Sequence, residues 1–170
     1  MIMKIAKIKS YAKINLALNI TGKKLNFHKI ESIIAFINLY DDILIKEIKS
    51  KKNEVLFVGP FSRGISKNNT ITKLLKVLEK KNLLNKKKFF IKVFKRIPIK
   101  AGLGGGSMNA AALLRFFLKK KIINIKKEEV IDISNLVGSD VKLGLKLSNS
   151  IMDSNNKIRY FNNCKKMNTL

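Results

Sequence analysis

The chain has one cysteine (Cys164), one histidine (His28), two prolines and no tryptophan in 170 residues. A single thiol excludes an internal disulfide, and with one imidazole there is no cysteine–histidine metal centre to build. Such thiol usage fits a reducing compartment, and a cytoplasmic location is expected. No apolar run approaches the ~20 residues of a membrane span. The opening Met1-Ile2-Met3-Lys4-Ile5-Ala6-Lys7 is interrupted too often by lysine for a signal-peptide core. Acidic residues are also scarce, 11 against 36 basic ones, for a net charge of +25. A balance this basic points toward nucleic acid. Arginine, however, supplies only Arg63, Arg96, Arg115 and Arg159. It is the residue that forks onto phosphates and base edges. The abundance of Ile and Asn marks a drift toward AT-rich codons, which makes the lysine excess partly compositional. A basic nucleic-acid-binding module therefore stays open as an alternative, and the charge attracts anionic nucleotides in any case.

Apolar residues make up 46% of the chain, and the length suits one domain with its own core. Residues 3–20 read as extended. Ala12, Ile14, Leu16 and Leu18 alternate with Lys13, Asn15, Ala17 and Asn19, which places lysine and asparagine on one face and the aliphatics on the other. Gly22-Lys23-Lys24 reads as a turn. Strands are expected over 29–39 and 42–48, with Tyr40-Asp41-Asp42 as the turn between them, since adjacent carboxylates there are more often turn formers than metal ligands. A short strand over 53–58 ends at Gly59-Pro60. Asn69 caps a helix with Ile71, Leu74, Leu75 and Leu78 on its buried face. Lys86-Lys87-Lys88 is a solvated charge run. Glu128 and Glu129 open another helix, with Val130, Ile133 and Val137 as its apolar stripe and Gly138 at its end. Strands followed by a strand–loop–helix unit make an α+β domain.

Four of the nine glycines fall within five residues of Pro98-Ile99-Lys100-Ala101-Gly102-Leu103-Gly104-Gly105-Gly106-Ser107-Met108. Phe89-Phe90-Ile91-Lys92-Val93-Phe94 reads as a strand before it, and a nearly all-apolar helix follows, with Ser107 as the expected N-cap. Strand, glycine loop and helix stand in the order that lets backbone N–H groups and a helix dipole receive a polyphosphate. The loop lacks the Gly-Lys-Ser/Thr ending of a Walker A motif, and no acidic residue lies where the dinucleotide fingerprint needs one.

The stretch 98–111 resembles the second motif of the galactokinase–homoserine kinase–mevalonate kinase–phosphomevalonate kinase (GHMP) family. Its three consecutive glycines are most similar to the branch that phosphorylates a cytidine-diphosphate-linked methylerythritol on the non-mevalonate route to isoprenoids. Ala12-Lys13-Ile14-Asn15-Leu16 through Gly22 resembles the family's N-terminal signature, and Gly138-Ser139-Asp140-Val141 its catalytic aspartate segment. The resemblance implies a two-layer α/β sandwich of the ribosomal-protein type, with residues 1–150 as the ATP-binding N-terminal domain. Residues 151–170 are then a divergent tail, and the family's second domain is not expected in this chain. It implies catalytic roles for Lys13 and Asp140, ATP on residues 98–108, and substrate on Asn15, Phe27 and His28. Ser107 is the remaining hydroxyl for Mg²⁺. Departures from the pattern are Met108 for a second serine, Leu25-Asn26-Phe27-His28 in the cytidine-contacting segment, and Lys142 for a proline. They leave open an active kinase completed by self-association or a separate chain, and a shortened copy that binds nucleotide without turnover.

Overall fold

The computed structural model describes residues 5–24, 27–155 and 157–161, and for 23, 24 and 27–30 the backbone alone. Strand β1 is Ala6–Lys24 and β2 is Phe27–Ile48. Then come β3 (Glu54–Val58), α1 (Thr70–Lys80), β4 (Lys88–Phe94), α2 (Gly105–Lys119) and α3 (Lys127–Val137). A 3-10 turn, Val141–Leu145, leads to β5 (Ser150–Met152) and β6 (Ile158–Tyr160). All six strands form one sheet. β1 runs antiparallel along one edge of β2. The other edge is shared by β4, opposite residues 42–48, and β5, opposite 32–34. β3 lies parallel to β4, and β6 antiparallel to β5. The expected α+β class therefore holds. The sheet continues past residue 150, since β5 and β6 both pair into it.

Helices cover one face of the sheet. Ile43, Ile45, Phe89, Ile91 and Val93 project from β2 and β4 onto Ile71, Leu74, Leu75 and Leu78 of α1 and onto the apolar body of α2. Asn69 caps α1 as expected: its side chain accepts from the N–H of Ile71 and of Thr72, both at 3.1 Å, while Thr72 returns a bond to its backbone. Gly138 ends α3, its N–H donating to Ser134 O at 3.0 Å.

Four local expectations are corrected. Tyr40-Asp41-Asp42 is not a turn; it lies inside the 22-residue β2. Asp41 is fully buried there, with enough hydrogen-bond donors around it to remove any reason to seek solvent. Gly22-Lys23-Lys24 is likewise strand, paired with Lys29, His28 and Phe27. The alternation in β1 fails because the register shifts between Tyr11 and Lys13 and again between Asn15 and Ala17. Leu18, opposite Ser32, then comes round to the face of Asn15, opposite Ile34. Leu16, Leu18 and Ile20 stand 50–64% exposed. Finally, Ser107 is not the N-cap of α2. Gly104, at φ +66°, holds that position with no side-chain cap, and Ser107 sits within the first turn.

The turn after α3 packs closely on α2. A Cβ on Gly144 would lie 2.6 Å from Ala111 Cβ and 2.9 Å from Met108 Sδ. Overpacking of this kind costs about 1–3 kcal/mol. Gly144→Ala is therefore expected to lower the urea midpoint by that free energy. An unchanged midpoint would mean that Met108 moves aside at no cost.

Candidate active site

β4 leaves the sheet after Phe94, and its chain enters the glycine stretch through Ile97 and Pro98. The residues that follow need conformations closed to most side chains. Gly102 has φ +74° and Gly104 +66°. Gly104 is also pressed against β1: a Cβ there would sit 2.8 Å from Lys13 Cγ. The Lys13 N–H donates to Leu103 O at 3.0 Å, so loop and strand are tied by backbone as well as by contact. At the far end of the loop, Thr70 Oγ1, at the start of α1, donates to Gly106 O at 2.6 Å.

Helix α2 begins at Gly105. Its first N–H groups receive no side-chain cap, and the first N–H turned inward is that of Met108, donating to Gly104 O at 2.9 Å. An uncapped helix start carries unpaired donors and the positive end of the dipole, which together attract an anion.

Facing this helix start is Lys13, whose side chain is 7% exposed. Its Nζ lies 3.1 Å from Asn15 Oδ1 and 3.4 Å from Asp140 Oδ2. Asp140 reaches the site from the turn after α3, and its side chain is 38% exposed. A lysine so buried is held in place by a carboxylate and an amide, while the carboxylate keeps one side open to the cavity.

One cavity of about 520 Å³ collects these groups. Lys13, Asn15, Asp140 and every residue of 98–107 line it. Met108 does not. It is 2% exposed and packs with Ile34 and Leu143. The expected substrate contacts Phe27 and His28 lie in β2, opposite Lys24 and Lys23, but their side chains are outside the described residues, as are Leu25 and Asn26 altogether.

Sequence reasoning missed part of this wall. Asn69, Thr70 and Ile71 at the start of α1, with Phe57 and Ile65, also line the cavity. Lys95 and Asn109 form part of the wall beside the loop. Asn69 was legible only as a cap, and its distance from the loop depends on the sheet. Asn109 is 1% exposed and has a carbonyl oxygen with no protein partner. Among the described residues no group of three or more His, Cys, Asp or Glu is placed to hold a metal by itself. No helix among them is long and apolar enough to cross a membrane.

Known proteins share the sequence family and the fold. Residues 69–154 match the GHMP kinases N terminal domain. The 4-diphosphocytidyl-2-C-methyl-D-erythritol kinase of Pelagibacter ubique is 61% identical over 157 residues, which is 92% of this chain and 56% of the relative. The enzyme of the same name from Ehrlichia ruminantium is 38% identical over 134 residues, 79% of this chain and 46% of its own. This chain thus spans about half the length of the curated relatives it matches. A crystal structure of 4-(cytidine 5'-diphospho)-2C-methyl-D-erythritol kinase superposes with TM-score 0.71 at 22% identity, covering 92% of this chain and 55% of that one. Homoserine kinase from Cytophaga hutchinsonii shares the fold at TM-score 0.62 and 14% identity, over 92% of this chain and 51% of its own. Matched along half its length and folded around a lysine–aspartate pair before a glycine-rich helix start, the chain belongs to the GHMP kinase family and carries its N-terminal domain.

Proposed function

We propose that this chain is the ATP-binding part of a cytoplasmic kinase that phosphorylates the 2-hydroxyl of 4-diphosphocytidyl-2-C-methyl-D-erythritol on the non-mevalonate route to isoprenoid precursors. The observation that carries the reading is the Lys13–Asp140 pair facing the uncapped start of α2 across one cavity. The names of the relatives point to the acceptor. Residues 1–150 are assigned to the nucleotide domain. The facing wall of the cleft is assigned to further protein, in the same chain, in a partner chain or in a second copy.

In this reading the triphosphate lies on residues 102–107, where backbone N–H groups neutralise its charge. The adenine occupies the end formed by Phe57, Ile65 and the start of α1. Asp140 accepts the proton of the substrate hydroxyl as its oxygen attacks the γ-phosphorus; the bond to the bridging oxygen breaks, and ADP leaves. Lys13 fixes Asp140 and stabilises negative charge that develops on the transferred group. Asn15, Phe27 and His28 are assigned to the substrate, phenylalanine being a residue type that stacks on a base such as cytosine without a hydroxyl. A bound Mg²⁺ would neutralise the β- and γ-phosphates, and the donor set suits it only with phosphate oxygens as the main ligands, Ser107 and Asp140 being the nearby protein oxygens. Release of ADP that depends on the diphosphocytidyl substrate would support the reading. Equal release without substrate, or with homoserine or mevalonate in its place, would overturn it.

Two substitutions separate the site from bulk charge. A side chain at Gly105 would press on Ile97 Cγ2 and Lys95 Nζ, 3.0 and 3.1 Å from the new Cβ, and lift the helix start. Gly105→Val is therefore expected to weaken ATP binding at least tenfold by calorimetry. Lys86→Gln with Lys87→Gln, on the exposed run, is expected to change it less than threefold. Similar losses in both would favour nonspecific electrostatics.

The assignment of chemistry is tested by turnover. Asp140→Asn is expected to lower kcat by about 10²–10⁴ and to leave the ATP dissociation constant within threefold, since the carboxylate acts in the transition state. Lys13→Ala is expected to lower kcat as well. Near-normal rates in both variants would show that the roles belong to other residues.

A further inference from the structure

The steps above make no use of Asp41. It is fully buried on β2, and its partner Lys95 is 2% exposed. A buried pair of opposite charges is tolerable only when hydrogen bonds satisfy the remaining positions of both groups. The carboxylate is saturated. Its Oδ1 accepts from the backbone N–H of Arg96 at 2.8 Å and of Ile97 at 2.9 Å. Its Oδ2 accepts from Lys95 Nζ and, at 3.0 Å, from Asn109 Nδ2.

These donors have a pattern. The β2–β4 ladder ends at Asp42 opposite Phe94. The next amide, Lys95 N–H, donates to Val58 O at 2.7 Å. The two after it have left the sheet and would be orphaned in the core, where an unpaired N–H is costly. Asp41 supplies their acceptor. They lie immediately before Pro98, where the glycine stretch begins. Asn109 lies in the second turn of α2, just beyond where that stretch ends. One carboxylate on the central strand thus grips the phosphate loop at both ends. Lys95 and Ile97 form the floor between, directly beneath Gly105.

We propose that Asp41 is the positioning residue of the phosphate loop. With Lys95 and Asn109 it fixes the separation of Ile97 and Asn109, so that the N–H groups of 105–107 are set before a nucleotide arrives. Asp41 does not line the cavity and acts through the loop alone. The nucleotide half of this inference rests on the function proposed above; the ordering of the loop does not.

The test uses Asp41→Asn combined with Lys95→Met, which removes both charges together and leaves no unpaired ion in the core. Amide exchange without nucleotide is expected to be at least tenfold faster across 97–109 than in the wild type, with α3 unchanged. ATP is expected to bind at least tenfold more weakly and adenosine within threefold of wild type, because the loop serves the phosphates and α1 the base. Wild-type protection of the loop would overturn the inference. So would faster exchange spread evenly over the chain, or equal weakening of ATP and adenosine, since both describe a mere staple of the fold. Should the double variant not fold, Asn109→Ala cuts only the far tie: loop exchange is then expected to be about threefold faster and ATP about threefold weaker, with adenosine affinity unchanged, and equal weakening of the two would overturn the inference. If the wild type itself fails to bind ATP, the proposed function falls, and loop exchange still decides the positioning role.

Discussion

The unbroken course of β2 is the constraint on which the rest of the molecule depends. Its 22 residues pair with three other strands, β1 along one edge and β4 and β5 on the other. Had the chain turned at Asp41, the two halves of the sheet would have no common register. Because it is continuous, one strand carries β1, with Lys13 opposite Phe36, on one edge and β4, which departs opposite Asp42, on the other. The site is therefore built at a fork in the sheet. One branch supplies the lysine, the other supplies the glycine loop, and Asp140 arrives from the turn that packs on α2.

Close approach, more than the number of contacts, sets the quality of that fork. The Lys13 stem packs on Gly104, and Gly144 packs on Ala111 and Met108, each at separations that leave no room for a Cβ. The two contacts hold β1 and the Asp140 turn against successive parts of α2. The same helix gives up stability at its start. Glycine at the cap gives up only about a few tenths of a kcal/mol against a capping side chain, and it leaves uncovered the N–H groups of the residues that line the cavity. A locally suboptimal choice at a convergent cavity is the mark of a site kept for binding.

The parts of this arrangement that depend on near neighbours were readable from the sequence. The glycine-rich turn between β4 and α2, the cap at Asn69, and the apolar stripes of α1 and α3 all follow from spacings within one or two turns. Lys13 and Asp140 were paired only through family resemblance, for no spacing brings together residues so far apart. Asp41 was misread for the same reason. Beside Asp42 it has the look of a turn, and the groups that bury it, Lys95 and Asn109, are 54 and 68 positions away. Ser107 was taken as the cap because the rule favours a hydroxyl, whereas the helix begins two residues earlier, at Gly105, and its cap is Gly104 at φ +66°. The aliphatic face of β1 was lost to bulges, which leave no reliable trace in composition.

The same long-range pairing settles how the net charge of +25 bears on the site. The two buried lysines on the cavity wall are each already matched to a carboxylate, Lys13 to Asp140 and Lys95 to Asp41. In the function proposed above, attraction for a polyphosphate then falls to oriented backbone N–H groups at the start of α2, and the lysine excess acts mainly at the surface, where salt screens it within about 10 Å at 0.1 M. The outer sheet face carries Tyr11, Tyr40 and Phe94, the kind of rings a single strand of nucleic acid would stack upon. Lys9 lies 4.2 Å from the centre of the Tyr40 ring, and the Arg96 guanidinium lies 4.8 Å from that of Phe94. Arg96 in turn is bonded to Asp42, which sets a negative charge beside the rings. With cations already over Tyr40 and Phe94 and Arg96 paired to Asp42, this face offers a polyanion a weaker stacking platform than free rings would. The phosphate seat proposed above differs in kind, since it depends on the uncapped start of α2 and not on net charge.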